Sequence, residues 1–182
     1  IIYGAFARLL GQVSWAAFMK AARPAQLIAF STSSSSATLP VSMECAEQRI
    51  GVSRSISSFV LPLGSTVNMD GTALYQGVAA VFIAQVFQTD LTLPSQLTIV
   101  FAATMASVGA AGVPGAGMIT LALVLTATGI PTVGIALILG LDRILDMFRT
   151  AVNVTGDLTV TTVIARREGE NLSIAMSART GP

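Results

Sequence analysis

Long apolar blocks separated by short polar clusters set the pattern of this chain. Residues 1–13 read as the end of one apolar helix and a connector. Residues 14–28 are amphipathic to apolar, with Trp15, Lys20 and Arg23 suited to a membrane interface and Pro24 at a predicted kink or break. The polar run STSSSSATLP follows, and a second helix is predicted over about residues 38–50, stopping at Gly51. Residues 53–87 carry one long apolar pattern interrupted near its middle by Asn68-Met69-Asp70-Gly71-Thr72. Asn, Asp and Gly are poor helix-interior residues, so the helix is predicted to break there. After a polar turn at residues 89–94, an apolar helix over 95–107 leads into VGAAGVPGAG, and a further one extends to about Thr128.

Pro131 opens the last predicted helix, and here the pattern changes. Asp142, Asp146, Arg149, Asn153 and Asp157 recur three or four residues apart, which stacks them on one helical face. The residues between them are largely apolar. From Ile56 to Leu141 the only charges are Asp70 and Asp90. Beyond Arg166 the chain turns polar and is predicted to fray into a tail.

Composition decides what the stripe means. The chain is 53% hydrophobic and 10% charged, with mean hydropathy +0.75. Soluble domains carry roughly a quarter charged residues, so the class is integral membrane; an all-α chain, multi-pass in a cell (inner or plasma) membrane and in contact with lipid, is the expectation. Charges in lipid are costly and face a cavity or a partner, which makes the stripe a candidate functional site. The net charge of +1 and the lack of a basic run give no reason to expect nucleic acid. Histidine is absent, which removes Ser-His hydrolase chemistry and His-ligated metal sites. Cys45 stands alone and reads as a small helix residue. The chain opens on Ile1 without an initiator Met or a signal peptide, so a longer polypeptide is expected.

Neither arm of 14–50 nor of 94–128 reaches the ~20 apolar residues of a full span. Both are expected to be re-entrant helical hairpins, Ser-tipped and Gly-tipped. Each precedes a long helix bearing Asn and Asp: the broken transmembrane helix 53–87 and the last transmembrane helix 131–168, with a polar tail at 169–182. Interrupted segments in corresponding positions of two halves point to a secondary-transporter site, and unwound backbone at 68–72 is tolerated only against protein or a cavity.

The residue types suggest a ligand. Hydroxyls and N–H groups at Ser34, Ser35 and Ser36, near a helix N-terminus, suit a carboxylate. Arg149 is a planar fork for a second carboxylate. Asp146, one turn earlier, suits an ammonium. Two carboxylates and an amine describe aspartate or glutamate. Asp70 and Asp157, with carbonyls of Asn68, Met69 and Asn153, offer hard oxygen ligands for a small cation such as Na+. Each motif also has a plain reading. The serines can be a polar loop, and the glycines close helix packing. Asn68–Gly71 can be a capped helix end, and Asp146 with Arg149 a simple ion pair. Asp142 reads as interface charge and Tyr75 as packing.

In this order, SSSSATLP, NMDGTALYQG, SVGAAGVPGAG and LDMFRTAVNVTGD resemble the dicarboxylate/amino acid:cation symporter family, which includes excitatory amino acid transporters and archaeal aspartate transporters. The resemblance covers about residues 18–168. It implies a homotrimer, no enzyme activity, and an elevator-like slide of a transport domain of which this chain is the C-terminal part. It implies that Arg149 binds the substrate side-chain carboxylate and Asp146 the amine. Asn153 and the backbone of Ser34 and Ser35 would hold the α-carboxylate. Thr72 and Thr150 would lie beside the substrate, with Gly112, Val113 and Gly117 closing over it and the 109–117 tip as gate. One sodium would sit by Asp157 with carbonyls of Gly64, Asn68 and Asn153. A second would use Thr66, Met69, Ser107, Val108 and Ala110, and a third Asp70 and Asn68.

Asp146 and Arg149 together favour an acidic amino acid over malate or serine. Many relatives place an extra arginine where Ser33 or Met147 stands here, and Met147 suggests a prokaryotic source. Sodium-coupled symport of L-aspartate or L-glutamate is therefore expected. The alternatives are proton-coupled symport, a C4-dicarboxylate symporter, an ion or anion channel, and an intramembrane aspartyl hydrolase using Asp70 and Asp146.

Overall fold

The computed structural model describes residues 2–174, and every regular element among them is helical. Helix α1 (Ile2–Leu9) leads to α2 (Trp15–Thr32), which starts where the Ser14 hydroxyl accepts the Ala17 N–H at 3.1 Å. Pro24 removes one backbone donor but does not end α2, which continues to Thr32. The predicted break is absent because α2 is held by tertiary packing along α8. Ser33, at φ 53, turns the chain. Helix α3 (Ser35–Glu44) begins three residues before the predicted start because the Ser34 hydroxyl caps it, accepting the Ala37 N–H at 3.1 Å. A π-helical turn, Cys45–Ile50, then ends at Gly51 with φ 92, a conformation that favours glycine.

Helices α4 (Arg54–Val67) and α5 (Asp70–Val86) are the two halves of the interrupted pattern. Asn68 and Met69 lie between them with non-helical backbone, at φ −98, ψ 67 and φ −100, ψ 53. Helices α6 (Leu93–Ser107) and α7 (Ala116–Thr128) pack against each other across the glycine-rich segment. The last helix starts at Ile135 rather than Pro131, which instead precedes a 3-10 turn, Thr132–Gly134. Helix α8 (Ile135–Arg167) then runs 33 residues, about 50 Å at 1.5 Å per residue.

Helix α8 joins two apolar cores. One gathers Phe18, Ala22, Ala25 and Ala29 of α2, Ala46 and Ile50 of the π-turn, and Leu158 and Ala165 of α8. The other gathers Ala80 and Ile83 of α5, Ile99 of α6, Leu121 and Leu125 of α7, and Ile138 of α8. The charged stripe of α8 lies between them. Four threonines buried on α8 hide their hydroxyls on the helix itself: Thr155, Thr159, Thr161 and Thr162 each donate to the carbonyl four residues back at 2.7 Å.

The polar stretch after Arg167 does not fray as far as residue 174. Leu172 and Ile174 are buried in the first core, and Ser173 Oγ donates to the Ile50 carbonyl at 3.1 Å. The Glu170 carboxylate accepts the Ser53 N–H at 2.9 Å. Residues 175–182 of the expected tail lie outside the described residues.

Among the described residues no helix is long and apolar enough to cross a membrane. The Asn68–Met69 break divides one candidate, and the polar stripe of α8 lowers the hydropathy of the other. The outer surface is nonetheless apolar: Phe59, Leu74, Phe101 and Ile119 are 66–72% exposed. Large side chains displayed this way suit lipid or protein cover.

Candidate functional site

Five segments converge on one enclosed space: the serine tip, the start of α5, the glycine tip, the start of α7 and the middle of α8. Ser33, Ser35, Met69, Thr72, Gly112, Val113, Gly117, Asp146, Arg149, Thr150 and Asn153 line it. The cavity measures about 10 Å³, room for roughly one water. It is this small because the tips touch. The Gly112 carbonyl accepts the Ser34 hydroxyl at 2.7 Å and the Ser36 N–H at 3.1 Å. A larger ligand therefore requires the two tips to part.

Inside, two charges of the stripe, Asp146 and Arg149, pair with each other. Arg149 Nη2 donates to Asp146 Oδ1, both side chains being buried. The other oxygen of Asp146 accepts the Gly115 N–H at 2.8 Å. Tyr75 lies under the guanidinium, its ring centroid 4.9 Å from Cζ, a cation–π distance. The Tyr75 hydroxyl in turn donates to Asp142 Oδ1 at 2.9 Å. Two buried polar atoms at this space have no hydrogen-bond partner among the described residues: Arg149 Nη1 and Ser33 Oγ. Unsatisfied buried donors cost about 1–3 kcal/mol each, more when charged. A ligand carrying anionic oxygens would satisfy both. Gly117 makes the arrangement possible, since a Cβ there would stand 1.4 Å from Arg149 Nη1.

A second polar region surrounds the α4–α5 break. The Asn68 amide donates to Asp157 Oδ1 at 2.9 Å, and that oxygen lies 2.7 Å from where a Cβ on Gly64 would be. Asn153 ties α8 to α5: its Oδ1 accepts the Gly71 N–H at 2.7 Å, and its Nδ2 donates to Thr72 Oγ1 at 3.2 Å. The Thr66 carbonyl accepts the Gly109 N–H at 2.8 Å, joining the break to the glycine tip. The Ser107 carbonyl accepts the Ala110 N–H at 3.2 Å, and the Met69 carbonyl the Thr72 and Ala73 N–H groups at 3.0 Å. Asp70 Oδ2 accepts the Tyr3 hydroxyl at 2.8 Å. No cluster of three His, Cys, Asp or Glu able to hold a metal occurs among the described residues. Cation binding here would thus draw on carbonyl and amide oxygens beside the Asp70 and Asp157 carboxylates, and a carbonyl or amide oxygen keeps a second lone pair when it accepts one hydrogen bond.

The structure brings the sequence-derived candidates together in two groups. Thr72, Gly112, Val113, Gly117, Asp146, Arg149, Thr150, Asn153 and Ser35 line the enclosed space. Ser34 spends its hydroxyl on capping α3 and bridging the tips. Asp70, Asp157, Asn68 and Gly64 meet at the helix break, while Thr66, Met69, Ser107, Val108 and Ala110 surround the junction of break and tip. Four contributors escaped the sequence reading. The sequence marks Tyr75 as packing and Asp142 as interface charge, and it assigns no site role to Ser33 or Tyr3. Asp142 alone carried a signal, its place four residues before Asp146 on the same stripe.

A model of the sodium:dicarboxylate symporter family matches residues 1–167. The chain is 50% identical over 158 residues to excitatory amino acid transporter 4 of Mus musculus, covering 87% of this chain and 28% of that protein. It is 50% identical over 154 residues to excitatory amino acid transporter 3 of Homo sapiens, covering 83% of this chain and 29% of that one. It is 50% identical over 140 residues to an excitatory amino acid transporter of Caenorhabditis elegans, covering 77% and 28%. The chain thus spans less than a third of the length of these relatives. All three are animal proteins, which lends no support to the prokaryotic source suggested by Met147.

Proposed function

The chain belongs to the sodium:dicarboxylate symporter family, and on that footing we propose that the full-length protein carries an acidic amino acid, L-aspartate or L-glutamate, across the membrane together with sodium ions. The observation that carries this reading is the enclosed space. It holds one buried guanidinium with an unpartnered Nη1, one buried carboxylate and an unpartnered serine hydroxyl. In the proposed bound state Arg149 Nη1 and Nη2 grip the side-chain carboxylate, and Asp146, released from Arg149, takes the ammonium. The α-carboxylate lies between Asn153, Thr72 and the N-terminus of α3 at Ser33, Ser34 and Ser35, where the unpartnered Ser33 hydroxyl and the helix dipole favour an anion. Thr150 packs beside the substrate, and Gly112, Val113 and Gly117 cover it.

Sodium is cargo in this scheme. One ion is assigned to Asp157 with Gly64, Asn68 and Asn153, a second to Thr66, Met69, Ser107, Val108 and Ala110, and a third to Asp70 with Asn68. Asn153 and Met69 belong to both the substrate and ion regions, so occupancy of one is felt by the other, which is the physical basis of coupling. The glycine tip, held over the site by the Gly112 carbonyl and the Gly115 N–H, is the gate. We assign 14–50 and 94–128 to re-entrant hairpins, 53–87 and 131–168 to the broken and last transmembrane helices, and the whole to an elevator-type transport domain of a trimer.

The test is uptake of radiolabelled L-aspartate into proteoliposomes with sodium outside and choline inside. Accumulation above equilibrium that vanishes when choline or a proton gradient replaces sodium supports the proposal. Uptake driven by a proton gradient alone, or non-saturable flux down its own gradient, refutes it in favour of proton coupling or a channel. A C4-dicarboxylate substrate, having no amine, would leave affinity unchanged in Asp146→Ser.

A further inference from the structure

We propose that Tyr3 of α1 is a positioning residue for the ion region, fixing the Asp70 carboxylate and linking it to Asp157. This rests on the sodium-coupled reading above. Tyr3 and Asp70 are 67 residues apart in sequence, yet the Tyr3 hydroxyl donates to Asp70 Oδ2 at 2.8 Å. The same hydroxyl sits in a notch on α8 that exists only because residue 156 is glycine. A Cβ there would be 2.7 Å from the Tyr3 oxygen and 3.1 Å from Asn68 Nδ2. Asn68 Nδ2 is the group that donates to Asp157 Oδ1 at 2.9 Å. One backbone notch therefore places the donor of Asp70 beside the donor of Asp157.

The chemistry follows from the donor types. A phenol is neutral, so it orients a carboxylate without cancelling its charge. By holding Oδ2 it fixes the rotation of the Asp70 side chain and leaves the lone pairs of Oδ1 for a hard cation. Asn68 does the same for Asp157, with its amide oxygen left as a further ligand. Groups that orient metal ligands from behind typically change metal affinity by 10–100-fold when removed. The ring of Tyr3 is half-buried against α8, so Tyr3→Phe keeps the packing and deletes only the donor.

The experiment is a calorimetric titration of sodium chloride, against choline chloride, into the full-length purified protein without substrate. We expect Tyr3→Phe to raise the sodium half-saturation about tenfold. L-Aspartate affinity measured at saturating sodium should stay within about twofold of wild type. In an Asp70→Asn background Tyr3→Phe should add nothing further, because a residue acting through Asp70 has no effect once the carboxylate is gone. Gly156→Ala, which fills the notch, should reproduce the shift. An unchanged sodium titration in Tyr3→Phe overturns the inference, and so does an equal shift in both backgrounds. Parallel loss of sodium and aspartate binding would make Tyr3 merely structural. A wild-type protein that takes up no sodium would instead defeat the coupling reading itself, and this inference with it.

Discussion

Gly117→Ala is the sharpest perturbation the geometry offers. The added methyl would lie 1.4 Å from Arg149 Nη1, 2.3 Å from Cζ and 2.7 Å from Nη2. Carbon contacts settle at about 3.5–4.0 Å, so the guanidinium must retreat by roughly 2 Å. A surface arginine would swing aside at little cost. Arg149 is 6% exposed, and the space beside it is about 10 Å³, so the retreat takes Nη1 out of the position from which it would hold a substrate carboxylate, or parts α7 from α8. Hydrogen bonds to charged groups contribute about 1.5–3 kcal/mol. At about 1.4 kcal/mol per decade this is a 10- to 150-fold loss of affinity for an acidic substrate. Gly77→Ala is the control: its Cβ meets nothing within 4 Å inside α5, and removing a mid-helix glycine should stabilise by about 0.5–1 kcal/mol. Both variants are read by calorimetric titration of L-aspartate at saturating sodium, with thermal melts alongside. Wild-type aspartate affinity in Gly117→Ala would refute the claim that the guanidinium needs this position.

Other outcomes follow from the same contacts. Arg149→Cys should abolish acidic substrate binding and admit a neutral amino acid, read by competition between aspartate and serine; retained aspartate binding would remove Arg149 from its role. Asp157→Asn should shift sodium dependence to higher concentration, since the Asn68 amide then meets a neutral partner, and an identical sodium titration would exclude Asp157 as a ligand. Leu172→Ala should lower stability by about 2–5 kcal/mol with substrate affinity intact, because Leu172 fills the first core far from the tips. A melt unchanged from wild type would mean that the segment after Arg167 does not contribute to the fold.

What the sequence reveals here is what is local or costly. The five polar residues of α8 stand out because charge in an apolar helix must have a reason, and the structure buries all five. The α4–α5 break is legible because Asn68, Asp70 and Gly71 each oppose a helix interior. The two tips are legible because serine caps and glycine turns act over a few residues. Contacts across the fold leave no such trace. Nothing near Tyr3 announces Asp70, and nothing in Tyr75 tells that its ring supports Arg149 while its hydroxyl holds Asp142. Leu172 and Ile174 were hidden for another reason, being two apolar residues in a polar stretch with no period to detect. Pro24 leaves a kink or a break open in the sequence, and the break does not occur because the helix around it is packed along its length.

The central claim is that one enclosed site binds an acidic amino acid through Arg149 and Asp146 and is coupled to sodium at the neighbouring break. The most direct test is a binding titration of L-aspartate to the full-length purified protein, in sodium and then with sodium replaced by choline. Tight binding in sodium that collapses in choline is the predicted result. Aspartate binding of equal strength in both salts would contradict the account.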